Sequence, residues 1–325
     1  MQKWLSIIGI GEDGLSGVSP IARALIDHAE VLVGGARHLA MLSPDDRREK
    51  LPWTAPIATS IEALLRHRGQ PTCVLASGDP MSYGIGVTLT RSLSVAEMTI
   101  VPAPSAFSLA CARLGWSLTE VETVSLCGRE PALLHAVCYP GARVLVLSAG
   151  QHTPAMVAEH LTQGGFGQSH MTILERMGGT HEGRIDGTAS SWNATDVAAL
   201  HTIALTCIAD PGVTGWSRLA GLPDAAYHHD GQLTKREVRA MTLAALAPMP
   251  GLLLWDVGAG CGSIGIEWMR SDPRCRAIAI ESHPTRLQYI ANNAMALGTP
   301  NLTIIAGEAP AALKDLPPPD ALFIG

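Results

Sequence analysis

Short apolar runs alternate with amphipathic helical patterns along almost the whole chain. This alternation is typical of α/β proteins, in which helices connect buried strands. Many of the runs end in Gly, Ser or Asp immediately before a helical pattern. The pattern predicts two series of strands, the first at Trp4–Gly9, Val31–Gly34, Cys73–Ala76, Thr99–Val101, Val144–Ser148, Thr172–Leu174 and Thr202–Ile208, and the second at Leu252–Val257, Ala277–Glu281, Leu302–Ala306 and Ala321–Ile324.

Several helix boundaries can also be predicted. The dipeptide Ser19-Pro20 offers an N-cap followed by proline at the first helical position. Capping-box spacing at Thr59–Glu62 and at Thr234–Glu237 predicts two further helix starts. Apolar residues at helical spacing after Pro284 predict a helix that ends at Gly298.

The polar segment Asp224–Gln232 is rich in turn residues and has no periodicity, which favours a domain boundary there. We therefore expect a first domain over residues 1–222, with subdomains of about 1–104 and 119–222. A linker over 223–232 and a second domain over 233–325 would follow. Because the second domain is short for a doubly wound sheet and the chain stops directly after a predicted strand, we expect this domain to be incomplete at its C-terminus.

Charge and hydropathy exclude several classes of protein. The formal net charge is −6, from 23 basic and 29 acidic residues, and neither part of the chain is basic enough to predict nucleic-acid binding. No run of about 18–20 apolar residues predicts a membrane span. The N-terminus lacks the features of a secretory signal. We therefore expect a cytoplasmic protein.

Cysteine and histidine usage gives no sign of a metal centre. The seven cysteines are scattered and include no CxxC pair, which argues against both a disulfide framework and a zinc site. The closest histidine cluster is His228-His229 beside Asp230, and no third ligand has suitable spacing to it. No metal is predicted.

A glycine-rich loop follows the first strand of the second part. The segment Leu252–Trp268 reads as a buried strand, a glycine loop and a helix start, where free backbone N–H groups can face a ligand. Glu281 ends the next strand, and its carboxylate can accept hydrogen bonds from ribose hydroxyls. Residues Gly260–Gly265 fit GxGxxG, so the loop by itself leaves a dinucleotide-binding enzyme open.

The fuller string Asp256–Gly262, together with Glu281, resembles motif I of the class I S-adenosylmethionine (SAM) methyltransferases. The strings LTKREVR (Leu233–Arg239) and GEAPAAL (Gly307–Leu313) are similar to the branch that methylates C-15 of precorrin and decarboxylates its C-12 acetate. The resemblance implies a Rossmann-like domain. It also implies a SAM site formed by Thr234, Gly258, Gly260, Gly262, Glu281 and Ala309.

Three segments of the first part also follow predicted strands. They are Gly9–Gly14, Gly78–Gly84 (GDPMSYG) and Val101–Ala106. Together they resemble the class III tetrapyrrole methylases, and Glu175–Ala189 is similar to the branch acting at C-5 of precorrin. The opening loop departs from the family pattern, because Glu12-Asp13 stands where many relatives have Pro-Gly. The resemblance implies a fold of two α/β subdomains, and a SAM site formed by Gly9, Gly11, Gly78, Asp79, Pro80, Tyr83, Ser105 and Ala106.

The order of the two parts resembles bifunctional methylases of cobalamin biosynthesis. It implies methylation of precorrin-6B at C-5 and C-15 with loss of the C-12 acetate carboxyl group, giving precorrin-8X. One SAM per active site, a tetrapyrrole substrate and a homo-oligomer are expected. No catalytic residue can be named, although Arg129, Arg176 and Arg184 are candidates for binding substrate carboxylates.

Three other functions stay open from the residues. The first is a SAM-dependent methylase of another tetrapyrrole with a non-catalytic second domain. The second is a nicotinamide-dependent oxidoreductase, suggested by GxGxxG. The third is a protein that binds pathway intermediates without catalysis.

Overall fold

A computed structural model describes residues 3–325, and its strands form three sheets. The strands are β1 (Leu5–Ile10), β2 (Val31–Gly34), β3 (Glu49–Pro52), β4 (Thr72–Ser77), β5 (Met98–Val101), β6 (Glu122–Ser125), β7 (Arg143–Leu147), β8 (His170–Glu175), β9 (Gly183–Thr188), β10 (His201–Thr206), β11 (Leu253–Val257), β12 (Arg276–Glu281), β13 (Thr303–Ala306) and β14 (Ala321–Ile324). The helices are α1 (Pro20–His28), α2 (Ala36–Leu39), α3 (Ile57–Leu65), α4 (Ile85–Leu89), α5 (Ala106–Leu114), α6 (Thr153–Gln163), α7 (Arg236–Leu246), α8 (Ser263–Ser271) and α9 (Pro284–Ala296). No helix among these residues combines the length and apolar character that crossing a bilayer requires.

The first sheet is parallel throughout, with the order β3-β2-β4-β1-β5. Its central strands are apolar because both of their faces are covered, and Ile7, Ile8, Val74 and Leu75 are fully buried. Because all five strands run parallel, their carboxyl ends lie at one edge of the sheet, where a ligand cleft of an open α/β fold is expected.

The second sheet is mixed, with the order β6-β7-β10-β8-β9. Only β6 and β7 run parallel, and the other neighbours are antiparallel. Val144, Val146, Ile203 and Leu205 form part of its buried core. A parallel sheet followed by a mixed one is the arrangement of two α/β subdomains that the resemblance implies for the first part.

The third sheet is parallel, with the order β13-β12-β11-β14. Helices α8 and α9 pack on it, and the Trp268 side chain is completely buried in its core. Strand β14 is an edge strand, and its side chains Leu322 and Ile324 are exposed. A parallel sheet with a glycine loop after its central strand β11 is the Rossmann-like arrangement predicted for the second part.

All eleven predicted strands are present, with ends within two residues of the prediction. Strands β3, β6 and β9 were not predicted. Each lies at the edge of its sheet, where one side of the strand has no strand neighbour and less apolar surface is needed. Their sequences are accordingly polar, so an apolar run does not mark them.

The helix boundaries were predicted with mixed success. Ser19 caps α1 by accepting from the backbone N–H of Ala22 at 3.2 Å, as predicted, and the helix after Pro284 ends before Gly298 as expected. Both capping boxes are wrong. Helix α3 begins at Ile57, so Thr59 lies inside the helix and Pro56 occupies the N-cap position. Lys235 rather than Thr234 occupies the N-cap position of α7.

The segment between β10 and α7 is held firmly against the third sheet. The buried Arg270 donates hydrogen bonds to the carbonyl oxygens of Trp216 and Ser217 at 3.0 and 3.2 Å. Further along, the backbone N–H and carbonyl of His228 bond the side-chain amide of Asn293 at 2.8 and 3.0 Å. The segment over residues 207–235, which includes the polar stretch predicted as a linker, is therefore ordered, and we call it the strap.

Candidate active sites

A cavity of about 500 Å³ lies at the carboxyl ends of the strands of the first sheet, and residues of the second sheet complete its wall. Six of the residues predicted to bind SAM line it: Gly11, Gly78, Asp79, Tyr83, Ser105 and Ala106. They come from segments far apart in sequence. The parallel sheet brings them together because each segment follows a strand that ends at the same edge.

Gly9 and Pro80 belong to the framework of this cavity. A Cβ atom at the buried Gly9 would lie 2.0 Å from the carbonyl oxygen of Gly78 and 2.4 Å from the backbone nitrogen of Ala103. Only glycine allows the three loops to converge at this point. A Cβ atom at Gly84, the N-cap residue of α4, would lie 2.6 Å from the carbonyl oxygen of Pro80.

The GDPMSYG loop is shaped by its own side chains. The Asp79 carboxylate accepts from the backbone N–H of Met81 at 2.8 Å and so closes a turn. Tyr83 has a left-handed backbone with φ of 56°, and its ring meets that of Phe107 edge-on at 6.0 Å. The Arg129 guanidinium lies 5.1 Å from the centre of the Tyr83 ring. These contacts hold the Tyr83 ring beside the cavity.

The other candidate arginines differ in position. Arg176 lines the cavity and has a left-handed backbone with φ of 46°. Arg184 does not approach it, because its guanidinium pairs with Asp186 at 2.8 Å on the exposed strand β9.

Four polar residues of the cavity wall were missed from the sequence: Arg37, His38, Ser77 and His201. His201 is buried and donates from Nδ1 to the carbonyl oxygen of Ala198 at 2.6 Å. Its Nε2 has no hydrogen-bond partner within residues 3–325. The signal in the sequence was weak, because none of these residues lies in a glycine motif: Arg37 and His38 are in α2, Ser77 ends β4 and His201 begins β10.

The glycine loop of the second part follows β11, as predicted. Gly258, Gly260 and Gly262 have φ of 72°, 59° and 82°, which only glycine adopts without strain. The Glu281 carboxylate accepts from the backbone N–H of Gly260 at 2.8 Å, and also from the N–H groups of Ser282 and His283. Glu281 and the predicted glycine loop are thus joined directly by a hydrogen bond.

Thr234 and Ala309 lie on segments that approach this loop. The carbonyl oxygen of Gln232, two residues before Thr234, lies 3.3 Å from where a Cβ of Gly260 would be. The backbone N–H of Gly307, two residues before Ala309, donates to the Glu281 carbonyl at 3.0 Å. The structure therefore brings the neighbourhoods of these residues to Gly260 and Glu281.

Asp256 is the acidic residue at the start of the glycine motif. It is completely buried, and one carboxylate oxygen accepts from the N–H of Gly265 at 2.9 Å while the other has no partner within residues 3–325. Burial, reinforced by the nearby charge of Glu281, raises the pKa of Asp256 from 3.8 to about 7. The carboxyl group is therefore half-protonated near neutral pH.

This raised pKa predicts a pH-dependent effect of Asp256→Asn on stability. Between about pH 4 and 7 the folded chain keeps a proton that the unfolded chain releases, so the Asp256 contribution to stability falls as the pH rises. Asparagine cannot ionise. The difference in unfolding free energy, Asp256→Asn minus the original chain, should therefore increase by up to about 1.4 kcal/mol per pH unit between about pH 4 and 7. It should level off above pH 8.

Urea unfolding followed by circular dichroism at pH 5, 6, 7 and 8 measures this difference. Asp272→Asn is the control, because Arg274 lowers the pKa of Asp272 and its ionisation lies below the window. A difference that stays constant from pH 5 to 8 for Asp256→Asn contradicts the prediction.

The histidines near the strap have structural partners. The ring Nδ1 of His229 accepts from the N–H of Gly231 at 3.0 Å, and Asp230 pairs with Arg286 at 2.9 Å. Among the residues that the structure describes, no three His, Cys, Asp or Glu side chains are grouped so that they could hold a metal ion.

Two family models match the chain, one for each part. The model for tetrapyrrole (corrin/porphyrin) methylases matches residues 5–192. The model for the precorrin methyltransferase domain matches residues 225–325. The precorrin-6Y C(5,15)-methyltransferase [decarboxylating] of Sinorhizobium sp is 48% identical over 325 residues, which is 100% of this chain and 79% of that protein. The chain belongs to the family of decarboxylating precorrin-6Y C(5,15)-methyltransferases.

Other members and relatives of this precorrin-6Y methyltransferase family match parts of the chain. The cobalt-precorrin-7 C(5)-methyltransferase of Salmonella typhimurium is 31% identical over 173 residues, or 53% of this chain and 85% of that protein. The crystal structure of the C-terminal domain of precorrin-6Y C5,15-methyltransferase from Rhodobacter capsulatus is 49% identical, with a TM-score of 0.33. That match covers 34% of this chain and 59% of the solved chain.

Proposed function

We propose that this chain uses SAM to methylate precorrin-6B at C-5 and C-15 and to remove the C-12 acetate carboxyl group as carbon dioxide, giving precorrin-8X. The observation that carries the proposal is the presence of two unlike glycine-lined sites in one chain. The donor-binding residues predicted for the first lie within residues matched by the tetrapyrrole methylase model, and those for the second within residues matched by the precorrin methyltransferase model.

The geometry of both sites fits a SAM molecule in each. In the first, the close approach at Gly9 leaves the loops after β1, β4 and β5 around one cavity. In the second, the left-handed glycines and the free N–H groups at the start of α8 can face a polar ligand, while Glu281 can accept from ribose hydroxyls. Bound SAM supplies an electrophilic methyl group on a sulfonium.

We assign the donor-binding roles as the sequence predicts them. In the first site they belong to Gly9, Gly11, Gly78, Asp79, Pro80, Tyr83, Ser105 and Ala106. In the second site they belong to Thr234, Gly258, Gly260, Gly262, Glu281 and Ala309. The corresponding division is a first domain over 1–222 and a second over 233–325, joined by residues 223–232.

The protein's task in such a transfer is mainly positional. Methyl transfer from a sulfonium is an in-line displacement, so the walls of the cavity must orient the acceptor carbon and exclude water. The apolar part of the first cavity, which includes Leu147, Leu174 and Met177, suits the body of a large ring system. Arg176 and Arg37 in the same wall suit its carboxylate side chains.

The remaining parts of the proposal concern the surroundings of the protein. We propose a cytoplasmic location, in keeping with seven cysteines that are all free thiols. A homo-oligomer, and a lack of nucleic-acid and membrane partners, stay predictions. Light scattering after gel filtration measures the oligomeric state.

Calorimetric titration with S-adenosylhomocysteine tests the donor sites. We expect saturable binding of two molecules per chain, with NAD giving no heat. Gly78→Arg and Gly260→Arg should each remove one of the two binding events and leave the other. Unchanged stoichiometry in both variants contradicts the site assignments, and binding of NAD alone contradicts the methyltransferase proposal.

A further inference from the structure

Arg37 is the cation most firmly held in the wall of the first cavity. It lies in α2, directly after the carboxyl end of β2. One guanidinium nitrogen, Nη2, lies 3.0 Å from both the Ser77 hydroxyl and the Nε2 atom of His38. The other terminal nitrogen pairs with the Glu12 carboxylate. Strand ends of β1, β2 and β4 therefore fix one guanidinium group in place.

Glu12 is the anion that neutralises Arg37, because the other two partners of the guanidinium are uncharged. Burial and the charge of Arg37 lower the pKa of His38 to about 4, so its ring is neutral at physiological pH and Nε2 accepts a hydrogen bond. Ser77 is neutral as well. Among the contacts of Arg37 within residues 3–325, Glu12 is the only carboxylate.

Glu12 lies in the opening loop, at a position that faces the opposite wall of the cavity. A Cβ atom at Gly179 would lie 2.9 Å from the Cβ of Glu12, so the turn that follows Arg176 packs on this residue. The Glu12 side chain is 20% exposed and that of Arg37 is 37% exposed. Both residues line the cavity, so a ligand there can approach the pair.

We propose that Arg37 is the carboxylate receptor of the first cavity, and that Glu12 is an internal carboxylate which a ligand carboxylate displaces. The proposal rests on the proposed function, because the tetrapyrrole substrate carries many carboxylate groups. Nη2 donates its two hydrogens to neutral partners, so a ligand carboxylate would take over the charge-assisted contact of Nη1 that Glu12 holds. The SAM α-carboxylate is the other source of the same chemistry.

The two substitutions Arg37→Gln and Glu12→Gln should act in opposite directions. Loss of Arg37 removes charge-assisted hydrogen bonds and should weaken ligand binding roughly 10- to 100-fold. Loss of the Glu12 charge removes the competing anion and should strengthen binding, by roughly 3- to 10-fold. Arg37→Lys keeps the charge but lacks the separate nitrogens that bond Ser77 and the carboxylate, and it should give an intermediate constant.

The experiment measures three constants for each variant of this chain. They are the KM of precorrin-6B in C-5 methylation, the Kd of uroporphyrin III from fluorescence quenching, and the Kd of S-adenosylhomocysteine from calorimetry. Arg23→Gln is the matched control, because Arg23 pairs with Asp27 on the exposed face of α1 and does not line the cavity. Circular dichroism checks that each variant is folded.

Weaker tetrapyrrole binding in Arg37→Gln with stronger binding in Glu12→Gln supports the proposal, with the substrate as the source of the carboxylate. The same pattern confined to S-adenosylhomocysteine supports it with the methyl donor as the source. Weaker binding in both variants identifies a structural ion pair and overturns the proposal, as does no change in Arg37→Gln. A chain that binds both probes but transfers no methyl group contradicts the proposed function, while the Arg37 comparison still gives its result through the two Kd values.

Discussion

Replacing Arg239 with leucine should lower the free energy of unfolding of the C-terminal part by roughly 3–5 kcal/mol, the range for an uncompensated buried charge. Both Arg239 and its partner Glu267 are almost completely buried, and Nε lies 2.6 Å from the carboxylate. The same carboxylate also accepts from the backbone N–H groups of Gly221 and Leu222 and from the Tyr227 hydroxyl. Removal of the arginine leaves this carboxylate without its positive partner.

The cluster also anchors the strap to α7 and α8, so its loss should reduce binding at the second site. Glu267→Gln should destabilise in the same way, because it leaves the Arg239 charge unpaired. Urea unfolding measures both effects. Arg286→Gln is the matched control, since Arg286 pairs with Asp230 at a half-exposed position and exposed pairs contribute less than about 1 kcal/mol. Equal losses for Arg239→Leu and Arg286→Gln would show that burial of the pair does not decide its contribution.

Replacing Gly9 with alanine should abolish S-adenosylhomocysteine binding at the first site and leave binding at the second site intact. The added methyl group would overlap the Gly78 carbonyl and the Ala103 backbone nitrogen, and backbone atoms have no rotamer with which to move aside. Overpacking of this kind costs about 1–3 kcal/mol or more. The loops after β4 and β5 must therefore separate, and the cavity loses its shape.

Calorimetry of the Gly9→Ala variant should accordingly show one binding event in place of two. Gly167→Ala is the control, because Gly167 is also buried but an added Cβ would meet the Ser190 Cβ at 3.4 Å and Thr162 at 3.6 Å, which are ordinary contacts. Retention of two binding events in Gly9→Ala would mean that the convergence of the three loops is not needed for donor binding.

The α/β class and most of the strands could be predicted from the sequence alone. Central strands such as β1, β4 and β11 are buried on both faces, so they must be continuous apolar runs, and such runs are visible without a structure. Edge strands such as β3 and β9 lack this requirement. Their pairing depends on a neighbouring strand that is distant in sequence, so no local pattern marks them.

The glycine motifs of both sites were likewise visible in the sequence, because a left-handed backbone or a close approach restricts a position to one residue type. Gly258, Gly260 and Gly262 are such positions by their φ angles, and Gly9 by its contacts. The family resemblance added the roles that these motifs carry in relatives.

Which charged side chains meet could not be predicted from the sequence and depends on the three-dimensional fold. Glu12, Arg37 and Ser77 stand at the ends of three different strands, and Arg239 meets Glu267 across 28 residues of sequence. The local sequence does not distinguish a charged residue that pairs in a buried cluster from one that stays exposed to solvent, such as Arg184. Such pairings are determined by the order and register of the strands and by the packing of helices, which bring together residues that the sequence keeps apart.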